Sequence, residues 1–255
     1  LVTRIRHQRV VLIRLRELYP ATHANLSEIY DIPLERDIRI IWFFMTPEMR
    51  LPLEAGWGCL ILRNNVPIGY GAGGMVADQS EISINIYDTF RGGETAWLYS
   101  QYARICYQWC RAPWLVTRRW QLGGEGNEEG IESGSYGFYD KLGFRSVDPK
   151  LRRLAQDERR KIIAQPGYRS PIRVLRRLAQ ADMVLSLTGH PAEDYRDFPL
   201  GQIGLAAARV VAGQFDGDRK DLDARVLKEM KRRFGVSYEG WTRDEKTRFA
   251  QMSLI

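Results

Sequence analysis

The chain has 255 residues, of which 44% are hydrophobic and 27% charged, and its formal net charge is +7. This length and this hydrophobic fraction exclude disorder throughout, and they allow one large domain or two smaller ones. The apolar runs are far shorter than the roughly 20 residues that cross a bilayer, and no signal-peptide pattern opens the chain. We therefore predict a cytoplasmic protein without a membrane partner.

Cysteine and histidine are scarce, with three residues of each type. Cys106 and Cys110 lie four residues apart in a helical pattern with no histidine nearby, and the three histidines are scattered. We predict reduced core cysteines and no zinc site.

The first zone of the chain, residues 1–55, has a mainly helical texture. Apolar residues recur at helical spacing over residues 10–18, and Pro20 is predicted to end that helix. Residues 37–49 are apolar enough to suit either a buried strand or a buried helix, so the pattern leaves both open.

The second zone, residues 56–150, alternates strand and helix patterns. Strands are predicted over 57–63, 68–77, 81–87, 114–122 and from Phe144, and helices over 94–110 and 134–142. This order predicts an α/β (α+β) fold, with a mixed, mostly antiparallel central sheet flanked by helices.

The third zone, residues 151–255, is charged and helical, and we predict four or five helices as a C-terminal extension. Ser170 with Pro171 is typical of a helix start, Asp221 is predicted to cap a helix that ends near Arg233, and residues 242–245 have capping-box spacing.

Residues 69–74 have the letters of the G-x-G-x-x-G dinucleotide motif. That motif must follow a strand and open a helix, whereas here the strand pattern continues and another strand comes next. We predict instead a glycine-rich strand that a backbone or a ligand approaches closely.

The turn at residues 91–96 has the context that a phosphate site needs. A strand ends at Tyr87, and Arg91, Gly92 and Gly93 lead into a helix whose first amides lack intrahelical acceptors. Free amides and the positive end of the helix dipole favour an anion, although many such turns bind nothing.

A second motif lies downstream of this turn, in the sequence F-Y-D-K-L-G-F at residues 138–144. It resembles the F-Y-x-K-L-G-F signature of the GNAT acetyltransferase superfamily, and the R-G-x-x-x-A turn precedes it in the family's order. The resemblance covers residues 57–148 and implies the GNAT fold with acetyl-CoA or another acyl-CoA as co-substrate.

The resemblance also implies roles for individual residues. Backbone amides of the turn would bind the pyrophosphate, the preceding strand would run alongside the pantetheine arm, and Tyr139 would be the general acid for the leaving thiolate. The implied cofactor contacts are Ile84, Ile86, Tyr87, Arg91, Gly92, Gly93, Glu94, Thr95, Ala96 and Asn127.

Two features depart from the family pattern. Glu94 stands where the pattern has a glycine, and its carboxylate would repel a pyrophosphate if it pointed inward or stabilise the helix N-terminus if it pointed outward. The loop at residues 123–134 is longer than usual and acidic, which suits either a lip that attracts a cationic amine or a solvated, flexible insertion.

The leading hypothesis is an acyl-CoA-dependent N-acyltransferase in which an amine-bearing acceptor attacks the thioester directly. Asp88 and Glu125 are the nearest candidates for a general base. The alternatives are a catalytically degenerate GNAT-fold binding protein and, less favoured, a basic nucleic-acid-binding protein. Solvated helix faces explain the basic residues more simply than nucleic acid does. A homodimer stays open.

Overall fold

The computed structural model describes residues 19–49, 54–90 and 92–253. The described residues divide into two compact units, with the boundary between Arg196 and Asp197. Residues 151–196, which the sequence analysis assigned to the C-terminal extension, belong to the first unit.

Over its described residues, the first unit is built on one sheet of eight strands in the order β1-β2-β3-β4-β5-β6-β8-β7. Among these eight strands the β5–β6 pair is parallel and the other neighbouring strands are antiparallel, which confirms the predicted mixed, mostly antiparallel sheet. The strands are β1 (Ala24–Pro33), β2 (Ile38–Met45), β3 (Glu54–Arg63), β4 (Val66–Val76), β5 (Gln79–Ile86), β6 (Trp114–Thr117), β7 (Arg145–Ser146) and β8 (Met183–Ser186).

Helices flank this sheet and also make up the second unit. The helices of the first unit are α1 (Tyr19–Thr22), α2 (Thr95–Cys110), α3 (Glu128–Glu132), α4 (Ser135–Lys141), α5 (Pro149–Ala164) and α6 (Ile172–Leu178). The helices of the second unit are α7 (Leu200–Gln214), α8 (Arg219–Phe234) and α9 (Arg243–Met252).

The first zone is not mainly helical over its described part, because β1 and β2 form an antiparallel pair there. Isoleucines and aromatic residues favour a pleated, buried surface, and Ile40 and Trp42 of β2 are fully buried. Pro20 lies inside α1. Residues 10–18, where a helix was predicted, lie outside the described residues.

Two further predictions are corrected beyond residue 113. The strand predicted over 114–122 ends at Thr117, and a 3-10 turn (Arg119–Leu122) replaces its second half. The third zone also contributes β8, which pairs with both β6 and β7. A four-residue strand is too short for its periodicity to distinguish it from a helical turn.

Glycines of β4 lie against other atoms of the core, and β4 continues through residues 69–74 as predicted. A Cβ atom on Gly73 would lie 2.6 Å from the Trp57 ring and 2.7 Å from the Glu81 carbonyl oxygen. Trp57 is fully buried, and its Nε1 donates a hydrogen bond to the Tyr102 hydroxyl of α2 at 3.0 Å. The glycines therefore let α2 and the neighbouring strand pack closely on this part of the sheet.

The second unit confirms one predicted helix cap and corrects another. The Thr242 amide donates to the Glu245 carboxylate at 2.6 Å, and the Glu245 amide donates to the Thr242 hydroxyl at 3.2 Å, which is the predicted capping box. Asp218, not Asp221, caps α8, because its carboxylate accepts the first free amides of that helix.

Candidate functional site

The glycine turn lies between β5 and the N-terminus of α2, as the sequence predicted. Gly92, Gly93 and Ala96 are exposed, and a Cβ atom on either glycine would meet nothing within 4 Å. The Thr95 amide and hydroxyl both donate to the Gly92 carbonyl, at 3.3 and 3.1 Å. The turn therefore closes on itself and leaves open space beside its glycines. Arg91 lies outside the described residues.

The first amides of α2 are available to a ligand. Among contacts between described residues, the Ala96 and Trp97 amides donate to no carbonyl of the turn, whereas the Leu98 amide donates to the Glu94 carbonyl at 2.9 Å. Free amides together with the helix dipole make this end of α2 attractive to an anion.

Glu94 directs its carboxylate to two arginines, one in the turn between β1 and β2 and one at the end of β3. Arg63 Nη1, at the end of β3, donates to Glu94 Oε2 at 2.9 Å, and Arg36 Nη1 donates to Glu94 Oε1 at 3.4 Å. Arg36 also lies over the Trp97 ring at 4.5 Å. The negative charge at the N-terminus of α2 is therefore balanced by two positive charges.

The edge of β5 that faces β6 is unpaired over its second half in the described part of the chain, because β6 ends at Thr117, and we call this unpaired stretch the gap. The parallel pairing of β5 and β6 ends at Glu81 and Val116, whereas β5 stays paired with β4 as far as Ile86. On the β6 side, the backbone from Ile82 to Asn85 has no strand partner among the described residues. Unpaired backbone groups inside a sheet are rare, so this gap suits a ligand that itself carries amides.

The three predicted contacts on and after β5 are close to this gap but differ in exposure. Ile86 and Tyr87 are buried, and Ile84 is only partly buried. The Tyr87 amide donates to the Ile68 carbonyl of β4 at 2.9 Å. Ile84 is thus the member of this set whose side chain is accessible to a ligand.

Tyr139 lies on α4 in a cluster of aromatic rings. Its ring packs edge-on against Tyr99 at 5.6 Å and Phe144 at 5.3 Å, and its side chain is 8% exposed. Burial raises the pKa of Tyr139 to about 12, the nearby Thr117 hydroxyl lowers it, and the Glu81 charge raises it. At neutral pH the phenol is protonated, so it can donate a proton and cannot act as a base.

Asn127 has a structural role in this protein. Its side-chain oxygen accepts from the Gly130 amide at 3.2 Å and so caps α3, and its nitrogen donates to the Trp120 carbonyl at 2.8 Å. A cofactor contact from this side chain would cost one of these hydrogen bonds.

The acidic loop at residues 123–134 contains α3. One of the two alternatives for this loop was a solvated, flexible insertion. Gly130 and Ile131 are buried, and two of the acidic side chains are paired. Glu125 accepts from Arg119 at 2.6 Å, and Glu128 accepts from Arg176 at 2.8 Å. The loop therefore carries less free negative charge than its sequence suggests.

Sequence reasoning missed a charged group beside the gap. Arg118 donates to Glu81 at 2.9 Å and to Asp182 at 3.0 Å, which joins β5, the end of β6 and the residue before β8. Burial lowers the pKa of Arg118, but its hydrogen bonds to the two carboxylates raise it by more. Glu81 belongs to the last residue pair before the strands separate, so it is the carboxylate that the structure brings to this gap.

Buried polar atoms near the gap also escaped the sequence analysis. Among the described residues, the Ser80, Tyr99 and Thr117 hydroxyls and the Asn85 side-chain oxygen are buried without a hydrogen-bond partner. Whether a buried polar atom has a partner depends on the tertiary structure. For Asn85 the sequence signal was the alternation of polar residues with isoleucine over residues 81–86.

No group of three or more metal-ligating side chains occurs among the described residues. Nor do the described helices include one that is both long and apolar enough to span a membrane.

Neither the models of known protein families nor the curated proteins include a match to this chain. Function is therefore inferred from the residues and the geometry described above.

Proposed function

We propose that this protein is an acyl-CoA-dependent N-acyltransferase that passes an acetyl or other acyl group from coenzyme A to an amine. The observation that carries the proposal is the unpaired edge of β5 after Glu81, on a strand that leads through the glycine turn to the free amides of α2. The resemblance of residues 91–96 and 138–144 to the GNAT signatures supports the proposal.

In this proposal the cofactor occupies the gap between the strands. The pantetheine amides pair with the free edge of β5, and the pyrophosphate accepts hydrogen bonds from the first amides of α2. Ile84 packs against the arm, and a backbone amide of β5 polarises the thioester carbonyl. This leaves the thioester near the point where β5 and β6 meet.

The reaction is a direct attack of the amine on the thioester. Glu81 takes the proton from the attacking amine, the nitrogen–carbon bond forms, and the carbon–sulfur bond breaks with its electron pair on sulfur. Tyr139 donates its proton to that sulfur. Glu81 replaces Asp88 and Glu125 as the proposed base, because it stands at the gap and its charge reaches the Tyr139 phenol.

Calorimetric titration with coenzyme A tests this proposal. We expect wild-type protein to bind coenzyme A and Gly93→Asp to bind it roughly tenfold more weakly, because a carboxylate some 5 Å from a phosphate costs about 1–3 kcal/mol near a surface. Gly93 has open space and no left-handed backbone, so the substitution leaves the fold intact.

Gly93→Asn is the matched control, because it has the same size without the charge, and we expect near wild-type affinity. Absence of binding by the wild-type protein at millimolar coenzyme A would rule out the proposed function. Equal affinities for the Asp and Asn variants would place the phosphates elsewhere.

A further inference from the structure

Two cysteines lie one turn apart at the C-terminal end of α2. Cys110 is the last residue of the helix and Cys106 is four residues before it, so their side chains are neighbours on one face. Both thiols are free. Cys106 is 1% exposed within the core, whereas Cys110 is partly exposed at the edge of the core. One thiol of the pair is therefore accessible from solvent, and the other is buried beside it.

The two sulfur atoms share a hydrogen bond. The Cys106 thiol donates to the Cys110 sulfur, which lowers the pKa of Cys110 and raises the pKa of Cys106. Burial raises the pKa of Cys106 further and opposes the lowering at Cys110. Because the thiolate is the form that attacks an oxidant, the accessible sulfur is the better nucleophile and the buried sulfur keeps its proton.

The position of the pair in α2 decides whether the two sulfur atoms can join. Residues four apart in a helix have Cα atoms about 6 Å apart, within the range of disulfides, but their Cβ atoms must approach from about 5–6 Å to about 4 Å. Only the last turn of α2 has to change for this approach. That turn ends at Arg111, whose φ of 56° is left-handed and whose amide donates to the Tyr107 carbonyl at 2.9 Å. Helix ends fray more easily than helix interiors, so the adjustment costs one turn and not the helix.

We propose that Cys110 and Cys106 form a hydroperoxide-sensitive pair, in which Cys110 is oxidised first and Cys106 then closes a disulfide with it. In the first step the Cys110 sulfur attacks one oxygen of the hydroperoxide and forms a sulfenic acid. The oxygen–oxygen bond breaks, and the second oxygen leaves with the electron pair and takes a proton from solvent.

The second step joins the two side chains. The Cys106 sulfur attacks the Cys110 sulfur, the sulfur–oxygen bond breaks, and the hydroxide that leaves combines with the Cys106 proton as water. The pair loses two electrons in total, and the hydroperoxide gains them. Exchange with an external thiol reduces the disulfide and restores both side chains.

Cys59 on β3 is the matched control within the same chain. It is fully buried, and burial raises its pKa to about 12, although hydrogen bonds with the Gly71 backbone and the Tyr102 hydroxyl oppose that rise. Neither hydrogen bond comes from a second sulfur. We expect Cys59 to stay reduced in the native protein under conditions that oxidise the pair.

The test treats the native, reduced chain with a small excess of hydrogen peroxide, removes the peroxide with catalase, and alkylates the remaining thiols after acid denaturation. Residues 105–111 form one tryptic peptide, because Arg104 and Arg111 bound it. Mass spectrometry therefore detects the disulfide as the loss of two hydrogen atoms with neither thiol alkylated. We expect this product in wild type, its reversal by dithiothreitol, and complete alkylation of Cys59. Brief treatment with iodoacetamide should label Cys110 at least roughly tenfold faster than Cys59.

Two variants test the order of the steps. In Cys106→Ala the sulfenic acid has no second thiol to react with, so peroxide and dimedone together should give a dimedone adduct on Cys110. In Cys110→Ser, we expect Cys106 to stay reduced at the same peroxide concentration. The thermal unfolding midpoint of each variant shows that it is folded, and the wild-type measurements do not depend on either variant.

Several results would overturn the proposal. Two free thiols in the 105–111 peptide of native wild type, when the same peroxide oxidises the unfolded chain, would exclude the pair. A disulfide between two chains through Cys110, or oxidation of Cys59 as fast as the pair, would exclude it as well. Equal oxidation of Cys106 in wild type and Cys110→Ser would show that Cys110 is not attacked first. None of these measurements uses coenzyme A, so their outcome is independent of the proposed acyl transfer.

Discussion

Glu94 occupies the N-terminal end of α2, where its charge meets both the helix dipole and two arginines. The carboxylate accepts hydrogen bonds from Arg63 and Arg36, and all three side chains are about half exposed. Exposed ion pairs contribute little to stability, so their main effect is on the local potential. The repulsion that Glu94 would exert on a phosphate is reduced by these neighbours but not abolished.

Removing the Glu94 charge should therefore strengthen coenzyme A binding. We expect Glu94→Gln to raise the affinity about three- to tenfold, because the substitution removes a negative charge and frees two guanidinium groups for the phosphates. Glu229→Gln is a matched control, since Glu229 also pairs with two arginines, Arg232 and Arg233, on α8. Unchanged affinity in Glu94→Gln would show that the phosphates do not reach this end of α2.

The raised pKa of Tyr139 predicts that the protein loses stability at alkaline pH. Its folded-state pKa of about 12 lies above that of an exposed phenol, which is near 10. The native state thus holds the proton more tightly, so this stabilisation is complete below pH 10 and is lost as the pH rises towards 12.

The measurement is the free energy of unfolding against pH for wild type and Tyr139→Phe. We expect the wild type to lose up to about 2–3 kcal/mol more than the variant through this range, since one pKa unit is worth about 1.4 kcal/mol. Parallel curves for the two proteins would mean that the Tyr139 phenol ionises freely in the native state.

At the scale of elements, the glycines of β4 let side chains of the neighbouring strands and of α2 pack close to the β4 backbone. Gly73 pairs with Trp57 on β3 and with Ile82 on β5, and both partners are fully buried. The letters that resembled a dinucleotide motif are explained by this packing. Trp57, which packs on Gly73, also donates a hydrogen bond to Tyr102 of α2, so the glycine lets α2 pack closely on the sheet.

Gly73→Ala should destabilise the protein by about 1–3 kcal/mol, because the added methyl group would overlap the Trp57 ring and a backbone carbonyl. Gly137→Ala is the control, because Gly137 lies within α4 with open space around its Cβ position. The helix propensity of alanine should make that variant about 0.5–1 kcal/mol more stable. Chemical denaturation of both variants provides the comparison, and equal stability of Gly73→Ala and wild type would contradict the packing.

At the scale of the whole molecule, the net charge of +7 favours binding of a polyanion such as coenzyme A. We expect the affinity for coenzyme A to fall roughly tenfold between about 50 and 500 mM NaCl, as salt screens the phosphates from the arginines. Dephospho-coenzyme A, with fewer charges, should show a weaker salt dependence.

Affinity measured against salt concentration also distinguishes coenzyme A binding from the alternative of nucleic-acid binding. Salt-independent coenzyme A binding would argue against the electrostatic part of the site. Binding of a DNA duplex with a steep salt dependence would favour a nucleic-acid-binding protein instead.

The sequence predicted β5, α2 and the start of α9 well because the patterns there are unambiguous. The isoleucine alternation of β5, the apolar face of α2 and the capping box of α9 each depend on neighbours within a few residues. β8 and the short β6 were missed or misjudged, since strands of four residues are defined by their partners in the sheet.

Local sequence alone determined the strand–turn–helix of the glycine turn and the position of Tyr139 on a short helix. Spacing along the chain decides such features, because helices, turns and caps are built from residues close in sequence. Only the tertiary structure decided the direction of the Glu94 carboxylate, the gap between β5 and β6, and the packing of Tyr139 against Tyr99. These features join residues far apart in the chain, and their burial and pairing depend on packing that no local pattern encodes.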